Sequence, residues 1–218
     1  ILRICNTSYH VYILNHSRIN CFKDDKIETD MKTAILLHGT CDEEEYFSDV
    51  YPSLSNSHWF PWLQKQLLIK GIFTQTPEML DAYKPNYEKW KKEFERFDVN
   101  EESILVGHSC GGGFLLRWLT ENKRKIDKLI LVAPWLDPER SKTTDFFEFA
   151  IDPDLTNRAE EIHLFVSEDD DKDIHESVDL TLKALPNVEI HKFKDKGHFT
   201  FEQMKSDKFP ELFQTIVK

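Results

Sequence analysis

Cysteine, glycine and positive charge are all scarce in this chain, and each shortage removes a class of function. Only four cysteines occur in 218 residues (Cys5, Cys21, Cys41 and Cys110). Their spacing matches neither a zinc ligand set nor a disulfide framework, so reduced thiols in a cytoplasmic protein are expected. Lys and Arg number 28 against 39 Asp and Glu, a formal charge of −11. That balance argues against nucleic acid as a partner, because a phosphate backbone demands clustered cations. No apolar run approaches the ~20 residues of a membrane span. The longest candidate, Leu129 to Leu136, has strand length and contains Pro134. No stretch joins a basic start, an apolar centre and a small-residue cleavage site, so no secretory signal is expected.

What is present describes a globular protein. Apolar residues make up 40% of the chain, with 16 Phe among them. The length suits one domain with a full core, with or without an appendage. Residues 1–30 contain no Gly or Pro and end in the charged stretch Lys23 to Asp30, just ahead of Met31. We expect an N-terminal extension over 1–30, native or not, and a single domain over 31–218. Tyr9 to Leu14 could instead supply an edge strand.

Of the seven glycines, four fall between Gly107 and Gly113. They surround Ser109 in Ile104-Leu105-Val106-Gly107-His108-Ser109-Cys110-Gly111-Gly112-Gly113, followed by the apolar Phe114 to Leu119. Strand, sharp turn and helix are expected there, with Gly107 to Gly111 matching G-x-S-x-G. A serine forced into a strained turn needs neighbours without side chains, because strand and helix backbones pass close to it. No Lys-Ser/Thr follows the glycines, so this is not a phosphate loop.

Around the turn, periods of two kinds alternate. Strands are expected at Ala34–Leu37, Ile72–Thr74, Ser103–Gly107, Lys128–Ala133, Ile162–Ser167 and Val188–Phe193. Helices are expected at Trp59 to Lys70, along Tyr87, Trp90, Phe94 and Phe97, from the turn to Asn122, along Ile174, Val178, Leu182 and Leu185, and along Phe209, Leu212, Phe213 and Ile216. The acidic loop Cys41 to His58 is too long for a simple connection. Such alternation predicts an α/β fold: a three-layer sandwich with a six-stranded, mainly parallel sheet and helices on both faces. Ligands of these sheets bind beyond the carboxyl ends of the strands. Gly39-Thr40, Ser109, Asp169 to Asp171 and His198 all fall at such ends.

A serine hydroxyl is a weak nucleophile at neutral pH and needs a base, which in turn needs a carboxylate to fix its tautomer. The order Ser, Asp, His is that of the nucleophile-elbow hydrolases. We assign Ser109 as nucleophile, His198 as base and then acid, and Asp170 as the orienting carboxylate, ahead of Asp171 and Asp169. The backbone N–H groups of Thr40 and Cys110 are the candidate oxyanion hole. His108 and His38 read as packing or structural residues. His163, His175 and His191 lack helical or facial-triad spacing, so no metal site is expected. Trp59, Trp62, Trp135 and the Phe146, Phe147, Phe149 group either wall an apolar pocket or pack the core.

The blocks Ala34-Ile35-Leu36-Leu37-His38-Gly39-Thr40, Ser57-His58-Trp59-Phe60-Pro61-Trp62-Leu63, Ile104 to Gly113, Val166 to Asp171 and Lys196-Gly197-His198-Phe199 resemble the small α/β-hydrolases of the retinoblastoma-binding-protein-like serine hydrolase family. The resemblance spans Met31 to Lys218. It implies a compact hydrolase with a minimal cap, acting on esters or related acyl compounds without a cofactor, through Ser109, Asp170 and His198. Retinoblastoma binding does not carry over, because Gly39-Thr40-Cys41-Asp42-Glu43 has Gly where Leu-x-Cys-x-Glu requires Leu. A carboxylesterase taking a small acyl substrate is the expected activity. An amidase or peptidase with the same residues, and a non-catalytic binding module on the same scaffold, are the alternatives. Oligomeric state is left open by the sequence.

Overall fold

The computed structural model describes residues 32–218. The expected extension over 1–30, its Met31 boundary, Cys5 and Cys21 lie outside the described residues. Among the described residues six strands form one sheet: β1 (Thr33–Leu37), β2 (Phe73–Gln75), β3 (Ser103–His108), β4 (Ile126–Val132), β5 (Ala159–Ser167) and β6 (Glu189–Phe193). Their order is β2-β1-β3-β4-β5-β6 and every pairing is parallel, which sharpens "mainly parallel" to wholly so. The cause is visible in β3, where all six residues are buried; strands covered on both faces are continuous apolar runs.

The helices are α1 (Glu43–Tyr46), α2 (Phe60–Ile69), α3 (Tyr87–Phe94), α4 (Cys110–Asn122), α5 (Lys172–Ala184), α6 (Phe201–Met204) and α7 (Pro210–Val217). Right-handed crossovers that leave β1 in one direction and β3 in the other put helices on opposite faces. Trp62 of α2 meets Phe213 of α7 on one face, at 6.2 Å between ring centroids. Trp90 and Phe94 of α3 meet Phe114 and Trp118 of α4 on the other, at 5.9 and 4.8 Å. The chain reverses direction between β1 and β3, so their carboxyl ends flank the crevice where such sheets bind ligands.

Differences from the sequence reading are local. α3 stops at Phe94, and Phe97 packs beyond it as a half-buried residue. β5 begins at Ala159, earlier than Ile162, because Ile126 and Ala159 already pair across from β4. The acidic loop contains α1 and a 3-10 turn at Leu54–Asn56, and α6 is a further single turn. No helix among the described residues is long and apolar enough to cross a membrane.

Candidate active site

Ser109 follows β3 and immediately precedes α4 with φ 54° and ψ −123°, a conformation that an L-residue holds only when its surroundings over-determine it. They do so through both of its backbone groups. Ser109 N–H donates to the Val132 carbonyl (2.9 Å), and its own carbonyl accepts from Gly112 (2.9 Å) and Trp135 (3.0 Å). The glycines are needed for contact: a Cβ on Gly107 would lie 2.6 Å from Gly112 Cα, and one on Gly111 would strike the Leu37 and His38 carbonyls. Sequence scarcity of glycine thus becomes close approach of three backbones.

His198 and Asp170 are brought together across the ends of β6 and β5. His198 Nδ1 lies 3.1 Å from each Asp170 carboxylate oxygen, and the Asp170 side chain is 1% exposed. A carboxylate only accepts, so Nδ1 carries the proton and Nε2 of the neutral ring holds a lone pair. Ser109 and His198 line the same cavity, of about 610 Å³. Among the hydrogen bonds of the described residues, none joins the Ser109 hydroxyl to Nε2; such contacts commonly tighten only when substrate binds.

The three adjacent acids separate by role. Asp169 accepts from the Ser167 hydroxyl (2.5 Å) and from Gly197 N–H (2.9 Å), and Ser167 also accepts from Lys196 N–H (2.9 Å). These bonds latch the loop that carries His198 onto the end of β5. The Ser167 hydroxyl, with the Gly197 and Lys196 amides, holds the Asp169 carboxyl below its usual range. Asp171 is exposed at the start of α5 and lines the cavity. Only Asp170 reaches the imidazole.

Two further histidines hold this geometry. Burial keeps His108 well below its usual pKa, assisted by the charges of His198 and His58, so its ring is neutral. Its Nε2 lies 2.7 Å from the His198 carbonyl and donates to it. His38 is likewise held down by burial. Its Nε2 accepts from Met79 N–H (2.8 Å), so Nδ1–H donates to the Gly39 carbonyl (2.7 Å). Because the Gly39–Thr40 peptide is trans, fixing that carbonyl aims Thr40 N–H the opposite way. Neither the Thr40 nor the Cys110 N–H is taken by a backbone carbonyl among the described residues. Cys110 N–H also opens a helix of 13 residues, whose dipole favours negative charge there. Burial raises the Cys110 thiol well above its ordinary value, and burial with Glu45, Asp42 and Glu78 pushes Cys41 up to about 11. Neither thiol is set up as a nucleophile.

The aromatics divide differently from the apolar-pocket reading. Trp59 is fully buried, stacks on Phe60 at 4.2 Å, and donates from Nε1 to the Phe199 carbonyl (3.1 Å), anchoring the residue after His198. Phe146 and Phe147 are core residues, Phe149 packs against the core, and Trp62 packs on Phe213. Trp135 alone of the group lines the cavity. It does so with Lys142, 5.4 Å above its ring, and Asp173, which accepts from its Nε1 at 3.0 Å. Four carboxylates face this space (Asp42, Glu45, Asp171 and Asp173). Asp137 secures its rim, accepting from the backbone of Ser141, Lys142 and Thr143. Neither the Ser167 latch nor the Asp137 anchor carries a pattern that the sequence alone would single out.

A family model described as serine hydrolase matches residues 51–215 of this chain. The Bacillus subtilis (strain 168) protein named "Putative hydrolase YdeN" is 24% identical over 163 residues, covering 72% of this chain and 86% of that protein. The crystal structure of the ydeN gene product from B. subtilis superposes with a TM-score of 0.73 at 22% identity, over 85% of this chain and 97% of that one. The methylesterase protein MES16 from Arabidopsis is similar with a TM-score of 0.57 at 14% identity, over 85% and 97% of the two chains. At these identities the solved structures speak for the fold, which is that of the α/β-hydrolases.

Proposed function

The chain belongs to the serine hydrolase family, and from that premise we propose that it cleaves carboxylic esters of small molecules through an acyl-enzyme on Ser109. His198 Nε2 takes the Ser109 proton as Oγ attacks the ester carbonyl. The resulting oxyanion sits between the N–H groups of Thr40 and Cys110, which act only on charge that develops in the transition state. The protonated imidazole, steadied by Asp170, then returns its proton to the departing alkoxide. Water repeats the sequence to release the acid. No cofactor takes part in this scheme.

The observation that supports this reading most is the bond from His198 Nδ1 to the buried Asp170 carboxylate beside a cavity that Ser109 lines. The narrower kinship with the retinoblastoma-binding-protein-like branch belongs to the same proposal. It rests on the His58-Trp59 helix start and the Lys196-Gly197-His198-Phe199 block. The carboxylates of the cavity disfavour anionic substrates, so neutral or cationic esters should have the higher kcat/KM. The test is steady-state turnover of p-nitrophenyl esters and matching anilides by wild type and Ser109→Ala. We expect esters to be the better substrates and the variant to lose on the order of 10³-fold or more in kcat while keeping its fold. Near-normal rates in the variant would overturn the assignment, and faster anilide cleavage would replace esterase with amidase.

A further inference from the structure

Away from the cavity, three side chains with metal-ligating atoms converge at the β5–β6 pair. His163 and Glu189 are direct partners across the two parallel strands, and His191 lies two residues along β6. Residues two apart share a face of a strand, so register, not sequence spacing, assembles the group. This is why the spacing of His163 and His191 gave no hint of a metal, and His175 has no part in it. Their ligand atoms all lie within 4.8 Å of one another.

Each ring is already oriented. His163 Nε2 lies 2.8 Å from Glu161 Oε2, and Lys128 Nζ lies 3.0 Å from the same oxygen. The carboxylate can only accept, so Nε2 carries the proton and His163 Nδ1 presents its lone pair to the cluster. A carboxylate holding the far nitrogen is the usual partner of a metal-binding imidazole. His191 is stacked on Phe165, with centroids 4.3 Å apart and planes 15° from parallel. Its Nε2 points at His163 Nδ1 from 3.2 Å. Glu189 straddles the two: Oε2 is 3.6 Å from His163 Nδ1 and Oε1 is 3.7 Å from His191 Nε2. A tetrahedral ion with bonds of ~2.0–2.1 Å requires ligand atoms roughly 3.3–3.4 Å apart. The two nitrogens, 3.2 Å apart, already have that spacing, and the exposed Glu189 side chain closes the triangle by turning one oxygen toward both rings, from a starting spread of at most 4.8 Å.

We propose that His163, His191 and Glu189 bind a divalent transition-metal ion of the zinc class at the β5–β6 pair. Two imidazoles and one carboxylate suit zinc, nickel or copper and are poor ligands for magnesium. His163 is buried while Glu189 is exposed, so the ion enters from solvent and water completes its shell. Bound there, it ties together the two strands whose carboxyl ends lead to Asp170 and His198. None of the three ligands lines the cavity, so the proposal stands apart from the esterase reading.

The test uses the full chain without an affinity tag, stripped with EDTA and dialysed, then titrated calorimetrically with zinc chloride and with magnesium chloride. We expect one zinc bound per chain, no magnesium binding, and a melting temperature raised by about 5–10 °C at a hundredfold excess over Kd. His191→Gln and Glu189→Gln, chosen because neither side chain is fully buried, should each weaken zinc at least about tenfold. Their metal-free melting temperatures should match the wild type. Absence of zinc binding would overturn the proposal. So would binding of undiminished affinity in the double variant, which would place the ion on other ligands.

Discussion

Replacing Asp170 by Asn removes one charge and leaves the side-chain shape, so its effect on rate measures what that charge does. With both carboxylate oxygens 3.1 Å from Nδ1 and the side chain 1% exposed, attraction to an imidazolium is roughly 5 kcal/mol at an effective dielectric of ~20. The imidazolium exists only once His198 has taken the serine proton, so this energy lowers the barrier without tightening substrate binding. Converted to rate, it is about 10⁴-fold in kcat. That agrees with the order expected when an amide in place of the carboxylate selects the wrong imidazole tautomer. The assay is ester turnover by Asp170→Asn, Asp171→Asn and Asp169→Asn side by side, with circular dichroism to confirm folding. Asp171, exposed and not hydrogen-bonded to the ring, should lose less than about tenfold, as befits a solvent-screened charge. A loss at Asp171 equal to or larger than that at Asp170 would refute the reasoning.

Two more outcomes follow from packing and charge. Gly107→Ala puts a Cβ 2.6 Å from the Gly112 backbone, so the sheet or α4 must move. The expected cost is about 3 kcal/mol or more, and thermal melting should fall by roughly 6–12 °C. A melting point within a degree or two of wild type would contradict the close approach. The Asp169 carboxyl is held below its unfolded range, chiefly by Ser167. Its contribution is therefore complete above the usual Asp value of ~3.9 and is lost as pH falls through the lower, folded value. Denaturant titrations of wild type and Asp169→Asn should show a stability gap that is constant from about pH 5 to 7 and closes below about pH 4. A gap that widens on acidification would mean the sign is wrong.

Much of this was legible because it is written in backbone demands. Ile104 to Gly113 can be read as strand, elbow and helix since a strained serine between close-packed backbones leaves few residue types to its neighbours. The central strands β1, β3, β4 and β5 showed as apolar runs because the middle of a parallel sheet is buried on both faces. Roles that depend on long-range pairing did not show. Asp169, Asp170 and Asp171 are adjacent in sequence and chemically alike; only the position of the His198 loop, latched by Ser167, separates them. Trp59 looked equally like a pocket wall and a core residue until its Nε1 met the Phe199 carbonyl. His163 and His191 are 28 residues apart, and only the parallel register of β5 and β6 brings them face to face.

The central claim is that Ser109 is activated by His198, and labelling with a fluorophosphonate probe tests it most directly. Such probes phosphonylate a serine whose proton a neighbouring base removes. Mass spectrometry of the digested protein should find the label on the peptide carrying Ser109, and His198→Ala, shown to be folded, should abolish it. An unlabelled Ser109 in folded wild type, or labelling undiminished without His198, would contradict the account.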